Sequence, residues 1–250
     1  MVYQWINNNL SHWLPQACVL CGQNCRRHAL CTSCLADLPQ IDAATCHQCG
    51  LPLDGPASGP CGHCLQQTPG YDHVISGFAY AQPVAQLVAK LKFRGQIQLA
   101  RLFGELLIRP VQAGNSQAQA ILPVPLHPGR LRQRGFNQAL EIARPLSRAL
   151  HLPLLTDLVY RHRDTQPQSE QSAARREGNI RDAFSLNQPP AFQHVAIVDD
   201  VMTSGHTVNE IAKLLQAAGV TQIEVWCVAR AWSHHTQLVV NRHERSQGKA

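Results

Sequence analysis

One stretch limits what this chain can become more than any other: Val195-Ala196-Ile197-Val198-Asp199-Asp200-Val201-Met202-Thr203-Ser204-Gly205-His206-Thr207. Val195 to Val198 is an unbroken apolar run, the pattern of a central parallel strand covered on both faces. Asp199 and Asp200 follow at its carboxyl end, where open α/β sheets hold ligands. Thr203 to Thr207 then supplies hydroxyls, a glycine and backbone N–H groups. An amphipathic helix comes next, with Val208, Ile211, Leu214 and Leu215 on one face. A hydroxyl-rich turn opening a helix is a cradle for phosphate. The carboxylates repel phosphate, so they suit other partners: the hydroxyls of a sugar carrying that phosphate, or waters on a bound Mg²⁺. A phosphorylated ribose satisfies both halves of the stretch.

The second constraint is four Cys-x-x-Cys pairs: Cys18/Cys21, Cys31/Cys34, Cys46/Cys49 and Cys61/Cys64. Two intervening residues let both sulfurs of a pair reach one tetrahedral ion, and two pairs close a four-sulfur site with no open position for chemistry. Gly22, Gly50 and Gly62 suit the tight knuckles that aim N–H groups at sulfur. The segment is too small and polar to bury a core, so two structural Zn²⁺ must supply its folding energy. A disulfide framework would need an exported chain, and no basic region followed by an apolar run opens the sequence. Sequential pairing gives two stacked ribbons, and cross-braced pairing is the alternative. Cys25 is either a spare thiol or a competing ligand. Cys227 lies in an apolar strand and reads as core.

Apolar residues make up 44% of the 250 and charged residues 15%, which indicates a globular chain with a real core. The formal charge of +6 invites a nucleic-acid reading, but it falls to about +2 once eight thiolates and two Zn²⁺ are counted. Only local basic patches then carry weight. No apolar run reaches the ~18 residues of a membrane span, so membrane insertion is not expected and the cytoplasm is the expected compartment.

Residues 1–14 space Val2, Trp5, Ile6, Leu10, Trp13 and Leu14 as an amphipathic helix without Lys or Arg. The double ribbon is expected over 15–70, an α/β domain over 71–232, and a polar tail over 233–250. His73–Tyr80 reads as a strand, and Pro83–Phe93 and Leu99–Val111 as helices. Between those helices, Leu91-Lys92-Phe93-Arg94-Gly95 is either a helix end with solvated charges or a phosphate or nucleic-acid contact. Ala120–Val124 is a second apolar strand, followed by a cationic loop carrying Arg130, Arg132 and Arg134, where pyrophosphate or DNA can sit. A helix begins near Gly135 to Asn137. Residues 161–184 are long, polar and rich in arginine, including Arg161, Arg163, Arg175, Arg176 and Arg181. They read either as a mobile flap or as a solvated hairpin and short helix. Gln222–Ala229 is the last strand.

The apolar strand, Asp199-Asp200, two residues, and then Thr203-Ser204-Gly205-His206-Thr207 resemble the signature of the type I phosphoribosyltransferases, which usually have Thr where Ser204 stands. A receiver domain also ends a strand in an acidic pair, but only about fifty residues follow here, too few for that fold. The resemblance implies that Asp199 and Asp200 hold the ribose hydroxyls of phosphoribosyl pyrophosphate (PRPP), bound with Mg²⁺, and that Thr203 to Thr207 bind its 5′-phosphate. It also implies a flap closing over the ligand. Adding the four cysteine pairs, Leu91 to Gly95, Leu122 to Gln138, and Arg163-x-Thr165-x-x-Gln168, the chain from about 15 to 232 is similar to the ComF/GntX family. That likeness implies a double zinc ribbon fused to a type I phosphoribosyltransferase-like parallel sheet flanked by helices, and a role in DNA uptake or utilisation. It admits a DNA-uptake helicase or other competence proteins as partners.

Two functions of different class follow. In one, the domain binds PRPP while a basic surface holds single-stranded DNA, with Phe93, Phe136 and Tyr160 available for base stacking. In the other, it is an active phosphoribosyltransferase of nucleotide metabolism that transfers the phosphoribosyl group to a nitrogen nucleophile with loss of pyrophosphate. No residue in the sequence marks itself as a general base, so the catalytic residues and the acceptor stay unassigned.

Overall fold

The computed structural model describes residues 16–25, 29–41, 44–53, 59–163 and 183–232. The expected amino-terminal helix and polar tail, residues 54–58, and Thr165, Gln168, Arg175, Arg176 and Arg181 lie outside the described residues.

The front of the chain is built from short pieces. Strands β1 (Gln16–Ala17) and β2 (Asn24–Cys25) pair antiparallel and are followed by helix α1 (Thr32–Ala36). Helix α2 (Gly62–Gln66) closes the second ribbon. Strand β3 (His73–Ala79) then starts the sheet, followed by helices α3 (Val84–Arg94) and α4 (Gln98–Ala113) and strand β4 (Ala120–Pro123). Helices α5 (Pro128–Arg134) and α6 (Gln138–Leu150) precede an antiparallel pair, β5 (Val159–Arg161) and β6 (Phe184–Leu186). Strand β7 (His194–Met202), helix α7 (His206–Ala217) and strand β8 (Gln222–Arg230) complete the described chain.

The main sheet has the order β3-β8-β7-β4, and each neighbouring pair is parallel. Its central strands are apolar because both faces are covered. Alternation along β7 sends Ala196 and Val198 into a core shared with Leu87 and Leu91 of α3, Phe103 and Leu107 of α4, and Ile142 and Leu146 of α6. Val195 and Ile197 enter a second core with Val208, Ile211 and Leu215 of α7, and Val159 and Phe184 of the small hairpin base. Helices α4 and α6 touch closely. A Cβ added at Gly104 would collide with the Ile142 carbonyl.

A charged group is buried near the amino end of the sheet. Glu224, 1% exposed, accepts from the Trp226 indole at 2.8 Å and faces His194 Nε2 at 2.8 Å, which ties the amino ends of β7 and β8 together. Among the described residues, no helix is long and apolar enough to cross a membrane.

The expected cationic loop at Arg130 to Arg134 is instead helical. His127 caps it by accepting from the Gly129 N–H, Pro128 occupies the first turn, and Gly135 ends it. Three arginines in seven residues look like a loop by charge, but a cap, an initial proline and a terminal glycine outweigh the weak repulsion among solvated side chains.

Candidate functional site

The site is assembled where β7 stops. Asp200 turns inward, with its side chain 4% exposed, and meets Lys92 Nζ of α3 at 2.9 Å. Its other oxygen accepts from the Val201 N–H at 2.7 Å, and Asp199 accepts from the Asp200 N–H at 2.8 Å. Asp199 remains partly accessible. Burial and the neighbouring Asp200 push the Asp199 carboxyl up to about 7, with Lys92 opposing them. Burial alone would lower Lys92, but Asp200 and then Asp199 outweigh it, so its pKa is raised and it stays a cation.

The bend after Met202 exposes Thr203 and Ser204 and turns on Gly205 at φ +79°. A side chain there would be strained and would meet Met202 Cε at 2.8 Å and the Tyr71 hydroxyl at 3.2 Å. Helix α7 starts at His206, its first internal bond running from the Asn209 N–H to the Gly205 carbonyl. The N–H groups of its opening turn have no carbonyl within the helix to bind, and the aligned peptide dipoles favour an anion there.

The other expected residues divide. Lys92 contacts the second acid, so it joins the acidic pair rather than an open phosphate surface. Arg134 donates to Gln138 and lies close enough for Asp200 and Arg130 to act on it; burial and Arg130 lower its pKa against the pull of Asp200. Arg94 and Arg132 are exposed on the ends of α3 and α5. Arg163 follows β5, and its carbonyl accepts from Arg161 Nε at 3.3 Å. Of the aromatics, Phe93 is 79% and Tyr160 43% exposed, whereas Phe136 packs against the core.

The cysteines gather as Cys18, Cys21, Cys31, Cys34 and as Cys46, Cys49, Cys61, Cys64, which is sequential pairing. The Sγ atoms of Cys21 and Cys31 are 3.7 Å apart, those of Cys49 and Cys61 3.7 Å, and those of Cys46 and Cys64 3.9 Å. A tetrahedron with Zn–S bonds of ~2.3 Å has edges of about 3.8 Å, so the donors fit zinc. Burial opposes ionisation at Cys18 and Cys46, but backbone N–H groups aimed at their sulfurs outweigh it and take the thiols down to about 6 and about 7. Cys25 stands outside both sets, buried among apolar side chains.

The sequence contains a further residue of this site that its pattern does not announce. Arg230 ends β8, is 2% exposed, and donates through Nη1 to the Met202 carbonyl at 2.9 Å and to that of Thr203. Its signal is faint: an arginine closing an apolar strand, one residue beyond the end expected at Ala229.

Ionised Asp199 is the better acceptor for sugar hydroxyls. A pKa raised to about 7 means that a ligand binding below that pH must displace a proton. Any sugar phosphate held through ionised Asp199 should therefore bind more weakly as pH drops from about 8 to about 6, approaching roughly tenfold per unit at the acid end. Calorimetry across that range checks this, and a flat profile would remove Asp199 from the ligand.

Comparison with known proteins agrees with this architecture. A double zinc ribbon domain matches residues 10–65, and a phosphoribosyl transferase domain matches residues 137–244. Competence protein F of Haemophilus influenzae is 37% identical over 225 residues, covering 86% of this chain and 96% of that protein. DNA utilization protein YhgH of Escherichia coli (strain K12) is 36% identical over 224 residues, covering 87% and 98%. Competence protein ComFC of Streptococcus pneumoniae is 25% identical over 228 residues, covering 85% and 99%.

Proposed function

The chain belongs to the family of competence protein F and DNA utilization protein YhgH, and from that premise we propose that it acts in DNA uptake or utilisation, binds PRPP at the bend after β7, and holds single-stranded DNA on an adjoining basic surface. The observation that carries the PRPP reading is the conjunction at one strand end: two acids, two exposed hydroxyls at Thr203 and Ser204, and a glycine-capped helix start at His206. The opening turn of α7 receives the 5′-phosphate. Asp199 accepts from the ribose hydroxyls, and Asp200 with Lys92 fixes the strand end behind it. Mg²⁺, arriving with PRPP, supplies neutralisation of the pyrophosphate charge. Calorimetry with Mg²⁺-PRPP should show at least about tenfold weaker binding after Asp199→Asn/Asp200→Asn, the loss of one or two charge-assisted hydrogen bonds. Equal affinity in both proteins would sink the ribose assignment.

For DNA, Arg94 and Arg132 with exposed Phe93 and Tyr160 offer cations and stacking faces of the kind single strands use. Lys90 does not contribute, since its Nζ donates to the Val19 carbonyl at 2.9 Å. Changing Arg130, Arg132 and Arg134 to alanine should flatten the salt dependence of oligonucleotide binding by up to about two units of log–log slope. An unaltered slope would take α5 out of the surface.

The raised carboxyl of Asp199 favours a second reading, because a group poised near neutrality can accept a proton from a nitrogen nucleophile. Pyrophosphate release from PRPP, followed with and without oligonucleotide, separates a phosphoribosyltransferase from a binding protein.

A further inference from the structure

The guanidinium of Arg230 joins two parts of the molecule that have no chemistry in common. Its Nε donates to the Cys49 carbonyl at 2.7 Å, inside the second cysteine knuckle. Its Nη1 donates to the carbonyls of Met202 and Thr203, where β7 becomes the phosphate bend, and to that of Ala231 at 2.7 Å. Among the described residues, no carboxylate forms an ion pair with it. A buried guanidinium held by carbonyl dipoles alone is costly. Four thiolates around one Zn²⁺ carry a net charge of about −2, and Arg230 reaches the backbone of one of them. Two further contacts run the same way. The Gly70 N–H donates to Asn209 Oδ1 of α7 at 2.7 Å, and the Tyr71 hydroxyl packs beside Gly205. The first cysteine cluster has a different attachment, through Lys90 of α3 to the Val19 carbonyl.

We propose that Arg230 is a positioning residue that couples metal occupancy of the second cysteine cluster to sugar-phosphate binding at the bend, a direct route that the first cluster lacks. The proposal rests on the phosphate-bend reading given above. Zinc at the second cluster fixes the Cys49 knuckle, the knuckle fixes the guanidinium, and the guanidinium sets the backbone of Met202 and Thr203 from which the cradle begins. Coupling of this kind is reciprocal, so a ligand at the bend must also retain that zinc.

The reciprocal effect is measurable without any mutation. The probe is ribose 5-phosphate, which carries the phosphate and hydroxyls but no pyrophosphate to chelate zinc. Its binding to the full chain is first established by calorimetry, and zinc release into a colorimetric chelator is then timed with and without it. One of the two zinc equivalents should leave about fivefold more slowly with ligand present, and the other at an unchanged rate. Arg230→Lys keeps the charge but cannot span both carbonyl sets. It should bind both ions, weaken ribose 5-phosphate several-fold, and abolish the selective retention. A merely structural role would shift both release rates together. Ligand bound with neither equivalent retained, both retained equally, or retention surviving Arg230→Lys each overturns the coupling. If the native protein takes up no ribose 5-phosphate, the phosphate-bend reading fails first and the coupling falls with it.

Discussion

Cys31→Ser should lower the metal content from about two ions per chain to about one and bring down the stability of the whole molecule, whereas Cys61→Ser should cost one ion and leave the sheet standing. A structural zinc site contributes about 10–16 kcal/mol to the folding of a small module, as much as the net stability of an entire domain, about 5–15 kcal/mol. How far the damage spreads depends on what each module covers. Around the first cluster, Cys18, Cys25, Leu30 and Leu38 are 2–6% exposed and belong to the same buried core as Leu87 and Leu91 of α3 and Phe103 of α4. Unfolding that ribbon strips cover from the helices beneath it. Around the second cluster, Cys46, Cys49 and Cys64 form a small core of their own with Leu51 and Leu53. Metal analysis with differential scanning calorimetry checks both variants. Equal melting of the two, or two ions retained by either, would contradict the asymmetry.

The same asymmetry shows where sequence pattern is informative and where it is silent. Signals within one turn or strand survive into the structure. The run from Val195 to Val198 is a buried central strand, Gly205 turns the chain, and Val208, Ile211 and Leu215 line one helix face. Each Cys-x-x-Cys knuckle is likewise local, so zinc is legible. Which knuckles unite is not legible, because that depends on how far apart the loops between them hold the sulfurs. Contacts between distant segments leave no periodicity. Lys92 meeting Asp200 and Arg230 reaching Cys49 are set by how α3 and the second ribbon lie against the sheet. Charge density misleads in the opposite direction at Arg130 to Arg134, where local capping makes a helix of an apparent loop. At Phe136, an aromatic suited to base stacking turns inward, because the core offers it more than solvent does.

Removing the Lys92 ammonium should be the other large effect. Lys92→Met is expected to destabilise the protein by about 3–5 kcal/mol, because a carboxylate only 4% exposed loses its cation while Asp199 stays beside it. Methionine keeps most of the side chain's length, so the loss reports charge and not packing. Adding Asp200→Asn should recover most of that deficit, since an amide is far cheaper to bury unpaired than an ionised carboxyl. Urea titration of the native protein, both single variants and the double variant gives the coupling directly, and additive single effects would show that the pair does not act as a unit. Affinity for PRPP is expected to return along with stability in the double variant, because the Asp200 side chain is 4% exposed and turned to Lys92, bracing the strand end behind Asp199. Stability regained without affinity would show instead that the Asp200 carboxylate itself meets the ribose or waters on Mg²⁺.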